Sequence, residues 1–133
     1  MKIFFTYIAF SLLCLNSVEA QKPKAEKKSS KSPKVLYGTA SFYADKFEGR
    51  ETANGEIFSQ KKMTAACNVL PLGMWIRVTN LRNGSSVIVK TNDHLYYRMK
   101  RVVDLSKAAA LKIGFADGLV KVKVEVLGKK KPF

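Results

Sequence analysis

The chain has 133 residues and a formal net charge of +14, with 24 Lys and Arg against 10 Asp and Glu. That length allows one core of ordinary size with tails. Two cysteines and a single histidine, His94, exclude a Cys/His zinc cluster, and nothing in the composition calls for a cofactor.

Met1-Lys2 is a short charged start, and the run from Ile3 to Leu15 is mostly apolar. The polar segment that follows ends in small residues at Ala20. Residues 1–20 therefore read as a secretory signal peptide, too short in its apolar part for a comfortable membrane span. The alternative is a buried N-terminal helix. Export makes the expected location periplasmic or extracellular, with the envelope. Lipid anchoring at Cys14 is not expected, because Ser11-Leu12-Leu13 lacks the small residue required just before the cysteine. Cleavage after Ala20 leaves Cys67 alone, so no internal disulfide can form.

Residues 21–35 carry Lys22, Lys24, Lys27, Lys28, Lys31 and Lys34 against Glu26. This is the composition of a disordered basic linker. Lys129-Lys130-Lys131 makes a second basic tail over 129–133. More than half of the excess charge lies on these tails. Their expected partners are anionic envelope polymers, the alternative being a solvated tether. Nucleic acid is not expected, because the charge sits on tails and the chain is exported.

The folded domain is expected over residues 36–128. Leu36 to Tyr43 is β-like, and Gly38 marks a bend or a close backbone approach. Ala44 to Lys62 is a long polar stretch with Gly49 and Gly55, expected as an ordered surface loop. Met63 to Val69 is short and apolar, and Leu70-Pro71-Leu72-Gly73 is a turn. Trp75 to Asn80 alternates like a half-buried strand. Arg82-Asn83-Gly84-Ser85 is a hairpin turn, with positive φ expected at Asn83 and Gly84. Ser86 to Lys90 is the returning strand, running into Thr91-Asn92-Asp93. Arg101 to Val103 is a short strand. Ser106 is an N-cap for a helix through Leu111, stopped at Gly114. In the last strand, Leu119 to Leu127, the valines Val120, Val122, Val124 and Val126 face one way. The domain is thus mostly β with one short helix. So many short strands in so small a domain favour a closed or nearly closed barrel, which removes exposed edges.

Gly38-Thr39-Ala40-Ser41-Phe42-Tyr43, Phe47-Glu48-Gly49-Arg50 and Thr52-Ala53-Asn54-Gly55-Glu56 are matched pieces of a known pattern. Thr64-Ala65-Ala66, Leu70-Pro71-Leu72-Gly73, Val78-Thr79-Asn80-Leu81, Asn83-Gly84, Asn92-Asp93 and Asp104-Leu105-Ser106-Lys107-Ala108-Ala109 complete it. In this order they resemble the rare lipoprotein A (RlpA) family. The resemblance implies a six-stranded double-psi β-barrel, distantly similar to expansins and family 45 endoglucanases. It also implies a monomeric lytic transglycosylase cleaving β-1,4 bonds of peptidoglycan, preferring glycan strands stripped of stem peptides. The alternative implied is an expansin-like module that binds glycan without cleaving it.

Asp93 matches the family's catalytic aspartate, and Asp104 matches an acid that expansins need. Cys67 stands where the family has a histidine. Lytic cleavage needs a proton on the leaving oxygen and negative charge near an oxocarbenium-like centre. Asp93 is the expected acid/base and Asp104 the supporting charge. Each has a plainer alternative: a turn aspartate bonding its own backbone for Asp93, a helix-capping acid for Asp104, a small buried hydrophobe for Cys67. His94 is a possible substitute for the missing imidazole. Sugar rings need flat apolar surfaces and hydroxyl partners. Tyr43, Tyr96 and Tyr97 are the expected platforms, with Arg50, Asn54 and Glu56 lining the groove from the long loop. No metal ligands are expected.

Overall fold

The computed structural model describes residues 34–96 and 98–133. The expected signal peptide, Cys14, all of the basic linker before Lys34, and Tyr97 lie outside the described residues. Six strands form a closed barrel: β1 (Val35–Phe42), β2 (Thr64–Ala66), β3 (Trp75–Asn80), β4 (Ser86–Asp93), β5 (Val103–Leu105) and β6 (Val120–Gly128). Among the described residues one α-helix, α1 (Lys107–Lys112), interrupts them. The strands run around the barrel in the order β1-β5-β2-β4-β3-β6. Two neighbouring pairs, β1 with β5 and β2 with β4, are parallel, and the others are antiparallel. Closure gives each of the six strands a neighbour on both sides over at least part of its length, which limits exposed sheet edge.

The alternation in the sequence sets the inside. Ile76, Val78, Val87, Val89, Val103, Leu105, Val122 and Val124 are buried in one cluster with Ala40 and Ala65. Val120 joins them, while Val126 packs against the cluster from a partly buried position. Burying one such side chain contributes about 1.5–3 kcal/mol. Gly38 is a close approach: a Cβ there would lie 2.9 Å from Val102 Cβ. Val102 N–H also donates to Thr39 C=O at 2.9 Å, so β1 and the chain entering β5 are tight at that point.

The hairpin differs from expectation in one respect. Gly84 has φ of 76°, but Asn83 does not have positive φ. The reason is that the loop is longer than a two-residue turn: Asn80 N–H donates to Ser85 C=O at 2.8 Å, and Gly84 N–H to Asn80 C=O at 2.8 Å. Asn83 works through its side chain instead. Its Oδ1 accepts from Ser85 N–H at 2.8 Å, and its Nδ2 donates to Ile113 C=O at 3.0 Å. Asn80 Nδ2 donates to the same carbonyl at 2.8 Å. Two amides thus satisfy an orphan carbonyl where α1 ends, and the chain turns away at Gly114 with φ of 82°.

The other end of α1 is equally well supplied. Ser106 Oγ accepts from Ala109 N–H at 3.3 Å, as expected of an N-cap. Gln60, in the long loop, accepts from Lys107 N–H through Oε1 at 2.7 Å and from Ala108 N–H through its carbonyl at 2.9 Å. A six-residue helix is marginal alone. Here its orphan donors tie the long loop to the barrel. That loop is ordered by a 3₁₀ turn at Asp45–Phe47 and a bridge between Glu51 and Ile57. Phe58, 2% exposed, anchors it.

Candidate active site

Strand register brings the two aspartates together. Ala66 of β2 pairs with Asp93 of β4 on one side and with Asp104 of β5 on the other. The two acids therefore sit two strands apart, with about 10 Å between backbones. The register shifts between Ala65 and Ala66, which turns the end of β4 relative to β2. Ala66 is small, so the space above it is open. A cleft of about 470 Å³ occupies it, lined by Phe42, Tyr43, Phe47, Tyr96, Met99 and Arg101 together with both aspartates.

Asp93 is the last residue of β4, and three donors converge on it. Tyr43 Oη donates to Oδ2 at 2.7 Å. The backbone N–H groups of Ala53 and His94 donate to Oδ1 at 3.1 and 2.9 Å. The contact with His94 is the local backbone bond expected of a turn aspartate; the other two come from distant chain. Tyr43 is itself fixed. Its ring stacks on Phe58 with centroids 4.2 Å apart and meets the edge of Phe47 at 5.7 Å. Its carbonyl accepts from Gln60 Nε2 at 2.7 Å. Burial, then the hydrogen bond and charge of Asp93, then the charge of Asp104, push the phenol far above its ordinary range. Tyr43 is therefore a neutral hydroxyl at any pH the protein meets.

Asp104 does not cap α1; Ser106 and Gln60 do that. It is instead clamped by Arg101, Nε to Oδ1 at 2.8 Å and Nη2 to Oδ2 at 2.9 Å. The side chains are 22% and 14% exposed. This bidentate fork fixes the carboxylate in the cleft wall, and its hydrogen bond holds the guanidinium above its ordinary pKa. Arg101 was missed in the sequence. Its spacing of three residues from Asp104 was the available signal, but Arg101 precedes the helix, so helical spacing rules gave it no partner.

The remaining candidates separate into groups. Tyr96 shares the cleft with Asp93 and is exposed. Asn54 and Glu56 do not line the cleft; they lock the 52–56 turn onto the end of β4. Asn54 N–H donates to Asn92 C=O at 3.2 Å, and Asn92 Nδ2 donates to Glu56 Oε2 at 3.2 Å. Asn54 Nδ2 donates to Glu56 Oε1 at 2.9 Å, and Lys90 Nζ lies 3.6 Å from that oxygen. Burial alone would raise the Glu56 carboxyl, but the bonds from Asn92 and Asn54 and the charge of Lys90 hold it below its ordinary value. The product of this network is the placement of Ala53 N–H on Asp93. Arg50 also lies off the cleft, its guanidinium 5.4 Å from the centroid of the Phe47 ring. Cys67 has no exposed surface. Its N–H donates to Asp93 C=O at 3.0 Å, but its side chain belongs to the core. Burial pushes the thiol above its ordinary value, outweighing backbone bonds near Val69 and Leu70 that lower it. His94 lies on the cleft lining and is exposed.

A closed six-stranded barrel with two parallel pairs, enclosing a cleft where acids from β4 and β5 flank β2, defines a double-psi β-barrel protein. Solved structures agree: Streptomyces papain inhibitor aligns with a TM-score of 0.58 at 21% identity, over 70% of this chain and 94% of that one. Clavibacter michiganensis expansin aligns with a TM-score of 0.59 at 17% identity, over 74% of this chain and 52% of that one. The chain belongs to the RlpA-like family: the family model described as "Lytic transglycolase" matches residues 36–124. It is 54% identical to the endolytic peptidoglycan transglycosylase RlpA of Pseudomonas aeruginosa over 91 residues, 68% of this chain and 27% of that protein. It is 46% identical to the RlpA of Neisseria meningitidis over 89 residues, 66% of this chain and 37% of that protein. The match thus spans well under half the length of these curated relatives.

Proposed function

We propose that this protein is an endolytic peptidoglycan lytic transglycosylase. It cleaves the β-1,4 bond between N-acetylmuramic acid and N-acetylglucosamine, leaves a 1,6-anhydro end, and prefers naked glycan strands. Export by residues 1–20 brings it to the envelope. The observation that carries this reading is the convergence of Tyr43, Ala53 and His94 donors on Asp93 at the cleft. The relatives' named activity supports the same reading.

The donors differ in kind. The N–H groups of Ala53 and His94 can only donate, so Oδ1 remains an acceptor. The Tyr43 hydroxyl can rotate and accept instead. Oδ2 is therefore the oxygen that carries the proton. Protonated Asp93 delivers it from Oδ2 to the glycosidic oxygen, and the C1–O bond of the muramic residue breaks. Asp104, held by Arg101, presents fixed negative charge toward the oxocarbenium-like centre. The muramic 6-hydroxyl attacks C1 and returns its proton to Asp93. No water nucleophile enters. Phe42, Phe47 and Tyr96 offer apolar surface to the sugar rings.

The test is mass spectrometry of sacculi digested by purified protein, with and without prior removal of stem peptides. Soluble 1,6-anhydro-muramyl fragments from denuded strands, absent with Asp93→Asn, support the enzyme. No such product at any pH excludes it. A second reading, glycan binding without turnover, is favoured by Cys67: no imidazole stands at that position, and its thiol is buried. It predicts pelleting with insoluble sacculi and no soluble sugar. A Clavibacter michiganensis expansin of this fold was solved in complex with cellohexaose, aligning with a TM-score of 0.55.

A further inference from the structure

A second groove, about 700 Å³, runs along the outer faces of β3 and β4 and shares no lining residue with the Asp93 cleft. Its floor follows from strand period. Trp75 pairs with Lys90 and Arg77 with Ile88, so these four side chains stand on one face. Thr64 of β2 pairs with Lys90 and extends that face. Three more cations arrive from separate segments: Lys62 before β2, Lys112 at the end of α1, and Lys131 after β6.

The charge balance is one-sided. Lys62, Arg77, Lys90, Lys112 and Lys131 line the groove, and Glu56 is the one acidic side chain among its lining residues. Glu56 lies 3.6 Å from Lys90, and Arg77 lies 3.9 Å from Glu125. Among the described residues, Lys62, Lys112 and Lys131 form no ion pair. Convergent cations repel one another unless an anion joins them. The Lys131 ammonium stands 5.9 Å from the centroid of the Trp75 ring. Thr64, 7% exposed, carries a buried hydroxyl with no partner among the described residues.

We propose that this groove binds an anionic polysaccharide. Trp75 and Ile88 meet the faces of its sugar rings, and the cations meet its acidic groups. The shape favours a chain over a small ion: Ser86 to Lys90 alone spans about 13 Å of lining strand. One indole beside several ammonium groups suits alternating sugar and charge. Single-stranded nucleic acid calls for a series of stacking rings, and a membrane surface for a projecting apolar rim. The site is independent of turnover in the Asp93 cleft.

The test is affinity electrophoresis of the full chain in gels containing polygalacturonate, with neutral dextran as control. Retardation by polygalacturonate, relieved by salt, is expected. Lys62→Gln with Lys112→Gln weakens it by at least about tenfold, as does Trp75→Ala. Asp93→Asn and Lys129→Gln with Lys130→Gln leave it unchanged. Circular dichroism melting verifies that each variant is folded; Lys62 and Lys112 are exposed, and their double variant carries the result if Trp75→Ala does not fold. Equal retardation by dextran overturns the proposal. So does retention by the folded lysine variants, loss through the 129–130 variant alone, or tighter binding to phosphatidylglycerol vesicles or single-stranded DNA.

Discussion

Tyr43 Oη donates to Asp93 Oδ2 at 2.7 Å, joining the residue after β1 to the last residue of β4 across 50 positions. The contact fixes the carboxylate that the proposed chemistry requires, and it depends on Phe58 stacking behind the Tyr43 ring. It also links the long loop to the barrel, because Gln60 holds the Tyr43 carbonyl and the start of α1 together.

Tyr43→Phe keeps the ring stack and removes the hydroxyl. The folded state loses about 1–2 kcal/mol, the usual worth of a bond to a charged group at partial burial. Thermal melting measures this. Loss of the hydroxyl that orients Oδ2 also lowers release of anhydro-muramyl fragments by the folded protein. Unchanged release with lowered stability would reduce Tyr43 to a structural residue.

Asp93→Asn preserves size and can still accept both backbone N–H bonds at Oδ1. It cannot deliver a proton. Turnover falls by about a hundred- to ten-thousand-fold, the range for losing a general acid/base, while the melting temperature changes little. Release of anhydro-muramyl fragments is the readout.

Arg101→Met leaves Asp104 without its fork in a wall where the side chain is 14% exposed. Breaking a largely buried pair by removing one partner costs about 1–3 kcal/mol at this degree of exposure. Arg101→Lys keeps the charge but loses the second bond, and recovers part of the stability. Chemical denaturation of the three proteins ranks them wild type, Lys, Met.

Cys67→Ala leaves turnover within about twofold, because the thiol has no surface on the cleft, and costs about 1 kcal/mol of packing. Cys67→His forces an imidazole into a filled core and destabilises by about 1–3 kcal/mol. Activity assays and melting curves on both variants separate these effects. A large activity loss in a folded Cys67→Ala protein would contradict the buried, inert role.

Glu56 gives a pH dependence with a defined sign. Its folded pKa lies below the ordinary 4.5. The stabilisation it provides is therefore complete above about pH 4.5 and is lost as pH falls through the folded value. Hydrogen exchange of the 52–56 amides should accelerate, after correction for intrinsic rates, on going to pH 3. Glu56→Gln should abolish most of that change.

Much of the barrel was legible in the sequence because the core side chains of a strand repeat every second residue. Trp75 to Asn80, the valines of β6, the Ser106 cap and the close approach at Gly38 follow from such local rules. The turn conformation at Asn83 did not, because its side chain serves the distant Ile113 carbonyl rather than a two-residue turn. Asp104 also differed from its capping alternative. A capping rule sees only sequence neighbours downstream, whereas Arg101 reaches it from the incoming chain and Gln60 takes the capping task from 47 positions away.

By itself, the sequence determined a mostly β domain with one short helix, the strand faces and the acids to examine. Those are properties of local period and residue chemistry. Only the tertiary structure decided that Asp93 and Asp104 flank Ala66, that Arg101 belongs to the cleft, and that Cys67 does not reach it. The reason is physical: barrel closure sets which strands are neighbours, and neighbouring strands, not neighbouring residues, place side chains within a bond length of one another's hydrogen-bonding groups.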